Sequence, residues 1–380
     1  MLMKKLYASK LTSLAALVAI ALGSTAYATQ YTVTPLGTLS GTASTTVSGL
    51  NPSGEVVGWS TDSTGVNYGF LYSNGLMQAL AAPYGNYTAP RAINISGEIV
   101  GTGPAPRTSY DEAYYWNNST AQPFSPLGGD NSYALAINST GQITGQACEP
   151  VNFPCYAFID TNGSVQNLGS LGGEISQGNA INSAGQVAGS SYLAGNNAQV
   201  AFLYSNGVMT DLGTLGGTSS AAFGINSSGQ VVGWSYNSAG NENAFLYSNG
   251  AMTDLGTLGG TYSAANAINS TGQVVGQSTN SAGNANVAFL YSNGVMQNLN
   301  SLIGSASSEY TLTNAVGINK NGQIAVNGTI TATGQSTGFL LTPVTSTSSA
   351  GVPAPATLGL LAAAMAGLLL MKRKQTRSLS

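Results

Sequence analysis

A block of about 44 residues recurs seven times along this 380-residue chain, and no other property of the sequence limits its fold as severely. The repeat is almost verbatim in the middle of the chain. Ala201-Phe202-Leu203-Tyr204-Ser205-Asn206-Gly207 is followed by Asp211-Leu212-Gly213-Thr214-Leu215-Gly216-Gly217 and then by Gly224-Ile225-Asn226-Ser227-Ser228-Gly229-Gln230-Val231-Val232-Gly233; the next copy runs from Ala244 to Gly276. The asparagine of the Ile-Asn-x-x-Gly segment returns at Asn51, Asn94, Asn138, Asn182, Asn226, Asn269 and Asn319, at spacings of 43, 44, 44, 44, 43 and 50. An aromatic residue keeps step at Phe70, Tyr114, Phe158, Phe202, Phe245, Phe289 and Phe339.

Each copy holds four short apolar segments parted by turn residues, the pattern of four strands. Ser-Asn-Gly after Tyr204 and Tyr247 signals a tight hairpin, because Asn-Gly accepts the positive φ angles of a type I′ turn. Asn226-Ser-Ser-Gly229 supplies a second turn, with the Asn side chain able to bond nearby amides. The last copy stops at Phe339-Leu340-Leu341-Thr342-Pro343 without its Met-x-Asp-Leu-Gly-Thr-Leu-Gly-Gly segment, and a matching segment, Tyr31 to Gly41, stands at the start of the body. A strand donated from the N-terminus to the last copy closes a ring and removes open sheet edges. The expectation is all-β: a seven-bladed β-propeller of four-stranded blades over residues 29–343, closed by an N-terminal strand. In that topology the Asp-Leu-Gly-Thr-Leu strand is outermost. The segment ending in Ile-Asn, rich in small residues such as Ala221, Ala222, Ala265 and Ala267, is innermost. The alternative architecture is a β-solenoid.

The two ends read as addresses. Residues 1–28 form a signal peptide, with Lys4, Lys5 and Lys10, an apolar run from Leu14 to Leu22, and cleavage after Ala28; an uncleaved anchor is the competing reading. A Ser/Thr linker, 344–351, leads to a tail over 352–380. There Val352-Pro353-Ala354-Pro355 precedes an apolar transmembrane segment, 356–371, and the cations Lys372, Arg373 and Lys374. The segment is marginal in length for a span of roughly 20 residues. This tail resembles the PEP-CTERM sorting signal of Gram-negative bacteria, with Ala354 where the motif usually has Glu. The resemblance implies membrane-directed sorting by an exosortase-like machinery, transient membrane anchoring, and delivery to the outer surface or extracellular matrix; a plain C-terminal anchor is the alternative. The repeat itself resembles the HAF family of extracellular repeats. Ala201-Phe202, Ala244-Phe245 and Ala288-Phe289 match its Ala-Phe core, while Val200, Asn243 and Val287 stand at its His position. That family implies export and little chemistry.

Composition narrows the function. Seven of the ten cations lie at the two ends, so between Thr29 and Pro343 only Arg91, Arg107 and Lys320 face all 13 acids, a net charge of −10. Such a surface repels phosphate backbones, and no nucleic-acid partner is expected. The chain has no histidine, which removes the commonest general base and metal ligand. Neither a metal nor a cofactor is expected. Cys148 and Cys155, the only cysteines, share one loop of the third copy and read as a disulfide of an oxidising compartment.

Asp211 and Asp254 occupy one repeat position and read as turn residues, whereas Asp111, Glu112, Asp130, Glu149 and Glu174 are non-repeated acids. Glycoside hydrolysis needs only two carboxyls, so an exported carbohydrate-active enzyme is the alternative function. The loops from Asp62 to Asn67 and from Asn237 to Asn243 have oxygen ligands but too few carboxylates for a good calcium site, and read as hydrated turns.

The position after the glycine of the second strand varies between copies as Trp59, Thr102, Gln146, Ser190, Trp234, Gln277 and Asn327. Trp59, Gln146, Trp234, Gln277 and Asn327 are the candidate ligand-binding residues, suited to sugar rings by stacking and hydrogen bonding. Core packing of Trp59 and Trp234 competes with that reading. The expected function is therefore a non-enzymatic surface or matrix protein that binds polysaccharide or another exported partner.

Overall fold

The computed structural model describes residues 30–344 apart from 86, 107–109, 118–119, 130, 151–153 and 284–285. The signal peptide with Ala28, the sorting motif Val352, Pro353, Ala354 and Pro355, the segment 356–371, Arg107 and Asp130 lie outside the described residues. Twenty-eight strands form seven antiparallel four-stranded blades. Blade 1 comprises Ser44–Leu50, Val56–Thr61, Asn67–Ser73 and Leu76–Ala79, from inner to outer strand. Blade 5 comprises Gly216–Ile225, Val231–Asn237, Glu242–Ser248 and Ala251–Asp254. Blade 7 has three consecutive strands, Tyr310–Ile318, Ile324–Ile330 and Ser336–Pro343. Its outer strand is Tyr31–Pro35, antiparallel to the third, with Tyr31 opposite Pro343 and Pro35 opposite Phe339. The fold is a closed seven-bladed β-propeller.

The hairpins form as their residues dictate. Asn74, Asn162, Asn206, Asn249 and Asn293 all sit at φ 53°, each followed by a glycine at positive φ. The outer strand is shorter than expected. It ends at Asp211 or Asp254, because the aspartate carboxylate accepts from the amide two residues on, Gly213 N or Gly256 N, at 2.7 Å and turns the chain. Leu-Gly-Thr-Leu then crosses back, and the Gly-Gly pair begins the next inner strand. The 50-residue spacing before Asn319 has its cause in two 3₁₀ turns, Leu299–Leu302 and Gly304–Ser308, which bury Leu299 and Leu302.

The core is a ring of clusters between blades. All seven repeat aromatics, Phe70, Tyr114, Phe158, Phe202, Phe245, Phe289 and Phe339, are fully buried. One cluster joins Ala188 and Ala201 of blade 4 to Ala222, Val231 and Phe245 of blade 5. Tyr31 and Leu36, at either end of the donated segment, are buried in two such clusters. Burial pushes the Tyr31 phenol up to about 12, its hydroxyl having no partner.

The seven repeat asparagines tie the inner strands into a circle. Asn51 Nδ2 donates to Asn94 O, Asn94 to Asn138, Asn138 to Asn182, Asn182 to Asn226, Asn226 to Asn269, Asn269 to Asn319, and Asn319 back to Asn51, at 2.9–3.2 Å. Each Nδ2 also donates to the side chain four residues on, such as Gln230, and each Oδ1 accepts from the amides two and four residues on. A buried carboxamide with both ends satisfied stabilises the turn and the blade interface together.

Two outcomes follow. Asn226→Ala removes the bond to Asn269 O and leaves the Ser228 and Gln230 amides without their acceptor, and is expected to cost roughly 2–4 kcal/mol in chemical denaturation; Ser227→Ala, on the exposed turn, serves as the near-neutral control. Removing residues 30–36 opens the third strand of blade 7 as a sheet edge, so gel filtration with light scattering is expected to show self-association and the melting temperature to fall. An unchanged monomer with unchanged melting would contradict the closure.

Candidate functional site

Every inner strand carries a one-residue bulge at the same place, three residues before the ring asparagine. The register skips Ser48, Arg91, Leu135, Asn179, Phe223, Asn266 and Val316 in blades 1 to 7. A bulge re-aims a side chain that the pleat would otherwise direct into the sheet packing. All seven of these residues line one axial funnel, a cavity of about 400 Å³, together with Thr46, Val47, Trp59, Asn314 and Asn327. The funnel wall thus lies about 10 Å along the strands from the asparagine ring.

The bulge is possible because the second strand yields to it. A methyl group built on Gly233 would fall on Ala221 O, and Gly58, Gly101, Gly145, Gly189 and Gly276 face the same obstruction from their own inner strands. Blade 7 has Val326 opposite Ala315 instead, and accommodates it with a second register shift before Asn314.

The bulge residues divide into two groups. Ser48 Oγ donates to Pro90 O at 2.6 Å, Asn179 Nδ2 to Ala222 O at 2.8 Å and Asn266 Nδ2 to Ala315 O at 2.9 Å. These three tie their blade to the next at its bulge. Leu135, Phe223 and Val316 contribute apolar surface, and Phe223 is 36% exposed, high for a large aromatic. Arg91 is exposed to the funnel with its guanidinium 5.4 Å from the Trp59 ring centroid.

Of the residues singled out from the sequence, Trp59 and Asn327 belong to the funnel lining, whereas Gln146, Trp234 and Gln277 do not. Asn327 Nδ2 donates to Val47 O at 3.0 Å and its Oδ1 accepts from Val47 N at 2.8 Å, locking blade 7 to blade 1. Gln146 donates to Ser176 O, and Gln277 to the Tyr262 hydroxyl. Trp234 packs edge-on against Tyr236, centroids 5.6 Å apart. The bulge residues had a signal of their own: the third residue before each ring asparagine varies from Ser to Arg to Phe inside a constant frame.

The acids serve turns and the scaffold. Asp62 accepts from Thr64 Oγ1 at 2.7 Å, from the amides of Thr64 and Val66, and from the Tyr68 hydroxyl. The Thr64 hydroxyl foremost, then the Val66 amide, hold this carboxyl down at about 2. Asp111 accepts from the Tyr87 hydroxyl, and Glu174 from Asn196 Nδ2 at 3.1 Å. Glu55 and Glu98 replace the glutamine that receives the ring Asn in blades 3 to 7. No aspartate or glutamate lines the funnel among the described residues. Cys148 and Cys155 stand opposite each other on the second and third strands of blade 3, joined by a disulfide.

No family model matches the chain, and no curated protein sequence does. Solved structures do resemble it. An acylaminoacyl peptidase from Pyrococcus horikoshii aligns with TM-score 0.51 at 12% identity over 80% of this chain; the match takes in 52% of the peptidase, so the chain spans about half its length. A TolB from Acinetobacter baumannii aligns with TM-score 0.42 at 13% identity, over 82% of this chain and 80% of its own. A sialidase from Trypanosoma rangeli aligns at 0.39 and 10%, over 79% and 55%. At 12% identity the likeness to the peptidase speaks to fold and not to chemistry.

The disulfide joins residues only seven apart in sequence, so its stabilisation is bounded. Reduction, or Cys148→Ser with Cys155→Ser, is expected to lower stability by at most about 3 kcal/mol while the far-ultraviolet dichroism stays that of a folded β protein. Global unfolding on reduction would show that blade 3 depends on the crosslink.

Proposed function

We propose that this protein is an exported propeller, delivered to the outer surface or matrix by an exosortase-like machinery, that binds polysaccharide through its axial funnel without catalysing a reaction. The observation that carries the reading is the funnel wall, to which each blade contributes one variable residue from a constant scaffold. A pocket lined by apolar and aromatic side chains with a few polar groups is the usual form of a small-ligand site. Phe223 and Trp59 offer aromatic surface of the kind that stacks on the apolar faces of sugar rings.

The distribution of carboxylates supports binding over hydrolysis. Glycoside hydrolysis needs two acids across a scissile bond. Five of the described acids accept hydrogen bonds in turns, at Asp62, Asp211 and Asp254, or beside the asparagine ring, at Glu55 and Glu98, and none lines the funnel. Compartment enters through the disulfide, which suits an oxidising milieu outside the cytoplasm, and through the tripartite tail and signal peptide of the sequence.

The test is retention of the full-length protein on immobilised extracellular polysaccharides. Phe223→Ala combined with Trp59→Ala is expected to weaken retention about tenfold, the magnitude of one or two lost aromatic contacts, with the melting temperature held within a few degrees. Retention untouched by the double substitution would move the binding surface away from the funnel, and release of reducing sugar from the polymer would restore the enzymatic alternative.

A further inference from the structure

Between Thr29 and Pro343 the chain carries three cations, and one of them, Arg91, stands on the wall of the axial funnel. Lys320 is exposed on the turn that follows the ring asparagine Asn319, three residues beyond the Val316 bulge. The other funnel-lining residues are neutral, although the body as a whole carries 13 acids. A chain so rich in carboxylates has ready means of pairing an arginine, and here it does not: among the described residues no carboxylate, carbonyl or hydroxyl accepts a hydrogen bond from the Arg91 guanidinium. The guanidinium lies over the face of Trp59, 5.4 Å from the ring centroid.

That contact orients the guanidinium without occupying it. Stacking on an aromatic face engages the π system of the planar group and leaves its five N–H donors available at the edges. The bulge keeps the Arg91 backbone out of the regular ladder, so the side chain belongs to the funnel and not to the blade interface. Blades 1, 4 and 6 use their bulge residue to tie to the next blade, whereas blade 2 makes no such tie through Arg91. Although Arg91 as a whole is exposed, the funnel walls take part of the water from its guanidinium and pull it somewhat below its ordinary value. An anion entering the funnel would offset that loss, and a two-oxygen anion matches the guanidinium fork. The net charge of −10 that disfavours a nucleic acid also opposes a polyanion here, but no carboxylate lines the funnel, so Arg91 is the one charge that a group entering it meets among the lining residues.

We infer that the axial funnel recognises acidic polysaccharide, with Arg91, held against Trp59, receiving a carboxylate or sulfate group of the glycan. The inference rests on the polysaccharide-binding reading above and names its ligand class. Besides the aromatic surface it gives the funnel, Trp59 is a positioning residue, acting through the orientation of Arg91.

The experiment is calorimetric titration of the full-length protein with acidic oligosaccharides (galacturonate, guluronate and sulfated galactan oligomers) and with neutral galactan and glucan oligomers of equal length. Arg91→Gln and Arg91→Lys are titrated alongside, their folding checked by melting temperature. The wild type is expected to take at least one acidic series tenfold or more tighter than its neutral counterpart. Arg91→Gln is expected to abolish that preference, bringing the acidic series to the affinity of its neutral counterpart, and Arg91→Lys to retain part of it. If the wild type binds acidic and neutral series equally, or if Arg91→Gln keeps the preference, the inference is overturned while the polysaccharide reading stands. If no oligomer of either kind binds, the polysaccharide reading itself falls. Inorganic sulfate bound as tightly as the acidic oligomer would make the anion a small solute and overturn the glycan assignment.

Discussion

The structure depends on one carboxamide used seven times. Each ring asparagine closes its own turn with Oδ1 and reaches the next blade with Nδ2, so the group that ends an inner strand also fixes the distance to its neighbour. Because Asn319 donates to Asn51, the circle has no first or last member, although the chain that makes it has two ends. The donated strand Tyr31–Pro35 performs the same service at the rim, converting the open edge of blade 7 into a paired one. Inner circle and outer strand close one ring at two radii.

Fixing the inner strands at one end has a consequence further along them. Three residues before each asparagine the bulge shifts the register, opposed in blades 1 to 6 by a second-strand glycine that yields space for the inner carbonyl. The extra residue owes nothing to the ladder. It can therefore be Ser, Arg, Leu, Asn, Phe or Val without disturbing the frame, which is what a variable reading surface on a constant scaffold requires.

Much of this was legible in the sequence. The seven asparagines and seven aromatics announced blade number, the segment from Tyr31 announced closure, and Ser-Asn-Gly announced the hairpins, because each is a local rule repeated in register. What escaped notice were features set by two strands at once. The outer strand stops at Asp211 and not at Leu215 because a side chain-to-backbone bond competes with the ladder. The bulges interrupt a period-two pattern by a single residue, and within a strand of five to ten residues one interruption cannot be told from ordinary variation unless the copies are stacked. The variability after the second-strand glycine was visible and drew attention to Gln146, Trp234 and Gln277, yet those side chains turn to partners within the fold. Only Trp59 and Asn327 of that set reach the funnel wall, Asn327 as a clasp between blades.

The division of labour among the bulge residues bears on why a cation can stand there at all. An unpaired arginine at a blade interface would cost the fold directly, since desolvation without a partner is opposed by several kcal/mol. In the funnel the same group keeps contact with solvent at its edges and has an aromatic face behind it, so the cost is small and falls on no structural contact. The ring of asparagines holds blade 2 to blades 1 and 3 whether or not Arg91 is engaged. Stability and recognition are thereby carried by different residues of the same strand, three positions apart, and the charge at position 91 is free to answer to a ligand instead of to the fold.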